Sequence, residues 1–208
     1  DTSLYLLPEG LNEEVAVFLS DVLPTSHEIG VQYGNVKPGD TIAIVGTGPI
    51  GMGCLLTAQF YSPAQIIAVD MDDNRLAMAK ELGATHTINS AKEDAVQRIL
   101  EITGGRGVDC AMEAVGVEAT WDICQNVVKE GGHIANVGVH GKSVNFELNK
   151  LWIKNLTITT GLVNTNTTGM LLKTCCSGKL PLEKLATHHF KFSEFEKAYD
   201  VFKHASDE

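Results

Sequence analysis

The chain has 208 residues, a formal net charge of −10, 44% hydrophobic and 20% charged residues. That is enough apolar material for a substantial core, and it excludes a disordered or fibrous chain. The acidic excess, with no basic patch against it, excludes nucleic acid and anionic membranes as expected partners, and no stretch of about 18 apolar residues suggests a membrane span.

Taken in chain order, the first signal is Thr25-Ser26-His27-Glu28. Its T-x-x-E spacing, after Pro24 and before an apolar run, predicts a capping box that starts a helix over 26–33. From Asp40 to Gly138 short apolar runs alternate with helical ones. The runs at 41–46, 66–70, 108–113 and 133–138 are continuous, as strands buried on both faces require, and a shorter one lies at 85–89. Helices are predicted at 49–61, 73–82, 92–102 and 117–129, the last stopped by the glycine pair at 131–132. A final β-branched strand at 156–160 suits a sheet edge; a helix near 167–178, an extended stretch at 185–192 and a helix near 193–204 follow. Alternating β and α units with short, right-handed connections predict an α/β fold with a doubly wound parallel sheet.

Cys54, Cys110, Cys124, Cys175 and Cys176 are odd in number and lie mostly in apolar runs. Buried free thiols in a reducing, cytoplasmic setting are expected; with no C-x-x-C pair, a closed structural zinc site is not. No secretory signal pattern is present, and the start at "DTSLYLLP" is compatible with a fragment of a longer protein. His86, His133, His140, His188, His189 and His204 are scattered, so surface or core histidines are expected rather than metal ligands.

The chemistry is carried by "VGTGPIGMG" after the first strand, where Gly46, Gly48 and Gly51 spell G-x-G-x-x-G. In such a turn the first glycine makes the bend, the second lets a pyrophosphate approach the backbone, and the third lets helix and strand pack closely. Pro49 and Ile50 open the helix whose positive end meets the phosphates. Asp70 ends the next strand, 70 − 51 = 19 residues past the third glycine, where the acid that binds an adenosine ribose belongs. Its carboxylate accepts from both ribose hydroxyls and repels a 2′-phosphate, with Asp72 and Asp73 adding to that repulsion, so NAD is expected over NADP. Asp70 can also serve as the N-cap of the following helix. Arg75 is placed either at the adenosine or on a solvated helix face. The nicotinamide end is expected beyond the fourth and fifth strands, at "EAVG" (113–116) and "VGVH" (137–140), across the switch point of the sheet.

Several motifs occur together in order: D-x-L-P-T at 21–25, then "VKPGDTIAIVGTGPIG", "IIAVDMDDNRLAMAKELGAT", "ITGGRGVDCAMEAVG", "GGHIANVGVHG" and "KFSEFEKAYDVF". Over about residues 10 to 205 the chain resembles the medium-chain, zinc-dependent alcohol dehydrogenases, most of all their secondary-alcohol type. The resemblance implies a Rossmann domain with remnants of a GroES-like catalytic domain: residues 1–28 a catalytic-domain remnant and interdomain segment, 29–165 the NAD-binding domain, and 166–208 a helix-strand-helix segment returning toward the catalytic domain. It implies NAD and, in the intact enzyme, a catalytic zinc, a small alcohol or carbonyl substrate, and a homodimer or homotetramer. By position, Asp21 matches a zinc ligand of this subgroup and Thr25 the threonine that contacts the nicotinamide. The glycines and Asp70 match the NAD site, and Arg75 matches a basic residue at the adenosine ribose. Val115, Val137, Gly138 and Val139 match the carboxamide end, with Leu162 and Val163 nearby. Ser26-His27 stands where relatives more often carry Gly-Phe, so no substrate inference is carried over from it. The other zinc ligands have no counterpart here, and the chain alone is expected to bind nucleotide without dehydrogenase activity. Two alternatives are a polyol or other zinc dehydrogenase of the same superfamily, and a nonenzymatic NAD-binding module.

Overall fold

Six strands pair side by side in parallel: β1 (Thr41–Val45), β2 (Gln65–Asp70), β3 (His86–Asn89), β4 (Val108–Glu113), β5 (Val128–Asn136) and β6 (Thr157–Thr160). Their order in the sheet is β3-β2-β1-β4-β5-β6, so connections leave β1 and β4 in opposite directions and a crevice opens between those strand ends. The computed structural model describes residues 4–204, with helices α1 (Glu13–Phe18), α2 (Val22–Thr25), α3 (Pro49–Ala58), α4 (Asp73–Glu81), α5 (Ala95–Ile102), α6 (Glu118–Val127), α7 (Leu148–Leu151), α8 (Thr168–Cys176) and α9 (Phe195–His204).

Alternate residues of β1 feed different cores, which is why the run is apolar without a period of two. Ile42 and Ile44 join one cluster with α3 (Pro49–Ala58) and α4 (Asp73–Glu81), through Met52, Leu55 and Leu76. Ala43 and Val45 join the other with α5 (Ala95–Ile102) and α6 (Glu118–Val127), through Ile99, Trp121 and Cys124. Fully burying one such aliphatic side chain contributes about 1.5–3 kcal/mol. Among the described residues no helix is long and apolar enough to cross a membrane.

Element types as far as β6 match the sequence expectation. The stretch expected to be extended at 185–192 joins no sheet and is flanked by 3-10 turns at Leu182–Leu185 and Phe192–Glu194, and three further local readings change. The helix expected over 117–129 ends at Val127, because Val128 turns extended (φ −68°, ψ 132°) and pairs with Val108. The glycine pair therefore lies inside β5 and does not stop the helix. The N-cap of α4 is Asp72, whose side chain accepts from Asn74 N and Arg75 N; Asp70 does not cap it. Most consequential, Thr25 and Glu28 form no capping box. The helical segment starts earlier, as α2 (Val22–Thr25), and continues as a π-helical turn over Ser26–Gln32. Thr25 Oγ1 donates to Asp21 Oδ1 at 2.6 Å. Glu28 reaches across the fold instead, accepting from Asn164 N at 3.0 Å, Thr167 N at 2.9 Å and Thr167 Oγ1 at 2.8 Å. Ser26 Oγ donates to Val22 O and Ile50 O, seating this segment on α3.

The thiols are free, four buried and Cys176 exposed. Burial pushes the Cys54 thiol up to about 12, against a hydrogen bond at Ser26, and drives Cys110 higher still. Both are inert packing groups. Of the histidines, His133 meets Asn35, His140 meets Asn136 and Glu113, and His189 pairs with Glu14. The side chain of His204 lies outside the described residues.

His27 is 1% exposed, lies against the rings of Phe60 and Tyr61 at 5.7 and 6.0 Å, and has no hydrogen-bond partner at either nitrogen. Burial holds its pKa below the ordinary 6.5, with the Glu28 charge opposing. The unfolded chain therefore binds this proton more readily than the fold does. Stability from neutral His27 is present above pH 6.5 and is lost as pH falls below it, by up to about 1.4 kcal/mol per pH unit. Replacing His27 with Phe, which keeps a ring against Phe60 and Tyr61, is expected to flatten this acid-side loss. Urea unfolding above and below pH 6.5 checks it; parallel pH profiles for both proteins contradict it.

Candidate nucleotide-binding site

The turn after β1 shows why its glycines are needed. Gly46 has φ +97°, and a Cβ there would run into Val115. A Cβ on Gly51 would overlap the carbonyl oxygen of Gly46. Gly48, the N-cap of α3, has open space where a Cβ would stand, and Pro49 takes the first helical position. The first amides of α3 thus face an unobstructed surface and have no carbonyl one turn back to bond, the arrangement that holds phosphate. Ile50 is half-buried, with its carbonyl held by Ser26.

Asp70 sits directly beside that turn. Its Oδ2 accepts from Thr47 N at 2.7 Å and Thr47 Oγ1 at 2.9 Å; its Oδ1 accepts from Met71 N at 2.8 Å and Asp72 N at 3.1 Å. Four donors match the roughly four acceptor directions of a carboxylate. Three are backbone amides, and only the Thr47 hydroxyl can rotate away, which admits one new donor rather than the two ribose hydroxyls expected from the sequence. Thr47 occupies a free position of the glycine motif, so nothing in the motif marked it in advance. Arg75 is half-buried next to this turn; with Thr47, Gly48, Pro49, Met52 and Lys184 it lines a cavity of about 160 Å³.

Across the crevice the organiser is Glu113, which is fully buried at the end of β4. Its carboxylate accepts from Val115 N at 3.0 Å, Gly116 N at 2.9 Å and Thr120 Oγ1 at 2.6 Å. Its backbone carbonyl accepts from Val137 N at 2.8 Å and Gly138 N at 3.0 Å. One residue therefore shapes both loops expected at the carboxamide end. His140 closes the cluster: Nε2 lies 2.8 Å from Asn136 Oδ1 and 3.4 Å from Glu113 Oε2. Both neighbours are acceptors, so Nε2 carries the proton. Val115 and Val139 are exposed, at 48% and 90%, while Val137 packs partly on the core. Glu113 was legible only as an acid ending an apolar strand.

Leu162 is 88% exposed in the loop after β6. Asp21 is exposed at the start of α2, bonded to Thr25. Among the described residues no group of three His, Cys, Asp or Glu side chains could hold a metal ion. Three protein ligands are usual at a catalytic zinc, so the residues present do not complete such a site.

A doubly wound sheet, a glycine turn against an open helix start, and an acid at the end of β2 define a dinucleotide-binding domain of the Rossmann class. Residues 49–174 match the family described as zinc-binding dehydrogenase. The zinc-dependent alcohol dehydrogenase 2 of Streptococcus pneumoniae, solved in its apo form, is similar at 56% identity and a TM-score of 0.93, over 98% of this chain and 58% of that one. An alcohol dehydrogenase of Cupriavidus necator is 32% identical over 97% of this chain and 56% of its own length. An NADP-dependent isopropanol dehydrogenase of Entamoeba histolytica is 33% identical over the same shares, 97% and 56%. This chain belongs to the zinc-binding dehydrogenases, the medium-chain zinc-dependent alcohol dehydrogenase family, and spans little more than half the length of these relatives.

The overlap at Gly51 makes a direct expectation. Gly51→Ala forces helix and turn apart, lowering stability by about 3 kcal/mol and removing NADH binding. Urea unfolding and fluorescence titration measure both; an unchanged midpoint with intact binding contradicts the packing described.

Proposed function

We propose that this chain is the NAD-binding part of a zinc-dependent alcohol dehydrogenase that interconverts an alcohol and an aldehyde or ketone by hydride transfer. The observation that carries the reading is Asp70, held by Thr47 of the glycine turn beside the open start of α3. The adenosine ribose bonds Asp70 as the Thr47 hydroxyl turns aside, with Arg75 at its rim. The pyrophosphate lies on Gly48, Pro49, Ile50 and Gly51, and the carboxamide meets Val115, Val137, Gly138, Val139 and Leu162. Thr25 contacts the nicotinamide. NAD, when bound, accepts the hydride; the chain binds and orients it.

The reading places residues 29–165 in the nucleotide domain and residues 1–28 and 166–208 with the catalytic domain. The Glu14–His189 pair at 3.2 Å supports that grouping of the two ends. Asp21 is one zinc ligand of the intact enzyme, and the Thr25 hydroxyl orients its carboxylate. A homodimer or homotetramer forms through β6, an edge strand whose outer pairing groups are open and whose Ile158 is 38% exposed. Free thiols without disulfides support a cytoplasmic setting.

A relative with an NADP-dependent name means that family membership does not decide cofactor choice; in the reading proposed here the Asp70 carboxylate favours NAD. Wild-type chain is expected to prefer NADH over NADPH at least about tenfold, one unfavourable charge contact of about 1.4 kcal/mol. Asp70→Ser weakens NADH and erases that preference in fluorescence titrations; a wild-type preference for NADPH contradicts the assignment.

With a single zinc ligand, the 208-residue chain is expected to form no NADH from NAD, alcohol and added zinc. Absorbance of NADH measures this directly. Turnover comparable to that of full-length relatives contradicts it.

A further inference from the structure

Glu28 is 5% exposed and offers its carboxylate to a segment far away in sequence. A buried carboxylate is costly unless hydrogen-bonded, and here the donors come from the loop between β6 and α8 (Thr168–Cys176). Burial alone would raise its pKa; the bonds from Thr167, Asn164 and Thr165 outweigh burial and hold it below the ordinary carboxylate value. Glu28 is therefore ionised at neutral pH, and its bonds to the loop are charge-assisted.

The loop carries a second sign of being held. Thr165, between the two tethered amides, has φ +58°, a left-handed conformation that a β-branched residue adopts only at a cost. Surroundings that fix Asn164 and Thr167 on either side sustain it.

We propose that Glu28 is a positioning residue for the nicotinamide end of the cleft, clamping the 161–167 loop onto the helical segment that carries Thr25. Thr25 is three residues before Glu28, and Leu162 is two before Asn164, so the clamp sets the separation of two walls of the cleft. The role rests on the reading above that Thr25 and Leu162 face the nicotinamide. The adenosine half, built on Gly46 to Gly51 and Asp70, lies outside the clamp.

The test compares NADH with ADP-ribose, which lacks the nicotinamide, on the wild-type chain, Glu28→Gln and Thr167→Val. Glu28→Gln keeps the shape but sets an amide donor against a backbone N–H; Thr167→Val removes only the hydroxyl donor. NADH binding is expected to weaken about tenfold in Glu28→Gln and about threefold in Thr167→Val, with ADP-ribose binding unchanged in both. Amide exchange at Asn164 and Thr167 is expected to quicken in Glu28→Gln while β1 and β4 stay protected. Equal weakening of both ligands, or exchange spreading to β1 and β4, assigns Glu28 to general stability and overturns the proposal. A wild-type preference for NADH over ADP-ribose that survives Glu28→Gln overturns the role of Glu28 alone. No such preference in the wild-type chain overturns the placement of the nicotinamide, and the proposal with it.

Discussion

Backbone amides at the carboxyl end of a parallel sheet have left the ladder and still need acceptors, and three carboxylates meet that need here. Asp70 takes Thr47, Met71 and Asp72; Glu113 takes Val115 and Gly116; Glu28 takes Asn164 and Thr167. Each converts irregular backbone into a fixed wall. The crevice between β1 and β4 is therefore shaped before any ligand arrives, at little cost in ordering on binding. Negative charge at the walls is tolerated because it is spent on N–H groups, leaving the amides at the start of α3 for an anionic ligand.

The sheet was legible because each central strand is a continuous apolar run and each glycine of the turn answers a separate steric demand. Gly46 needs positive φ and Gly51 has a carbonyl where its Cβ would stand. Asp70 was legible because its distance from the glycines is set by one helix and one strand. Glu28 was not. T-x-x-E is a local pattern, and local spacing cannot report partners 136 and 139 residues away. The helix already under way at Val22 removed any need for a cap at Thr25, which freed the carboxylate to cross the fold. Glu113 escaped notice for a related reason: its burial becomes intelligible only once β4 and β5 are neighbours. At the end of α6, Val128 follows its pairing with Val108 and overrides the stop expected at the glycines.

The two ends of the chain read differently from its middle. The carboxylates of Asp70 and Glu113 accept hydrogen bonds from donors within the nucleotide-binding segment. Asp21 has Thr25 as its partner and no companion ligands among the described residues. The chain spans little more than half the length of the relatives it matches. In the proposed reading, nucleotide recognition rests on residues that this chain supplies, and Asp21 is one ligand of a metal site that the described residues do not complete.

The most direct test of the shaped crevice is an NADH titration followed by backbone amide NMR. The account predicts saturable shifts at Thr47, Gly48, Ile50, Gly51, Asp70, Val115, Gly116 and Val139, on both sides of the β1–β4 switch point, with the β-sheet interior unmoved. Shifts confined to other surfaces, or none at saturating NADH, would contradict it.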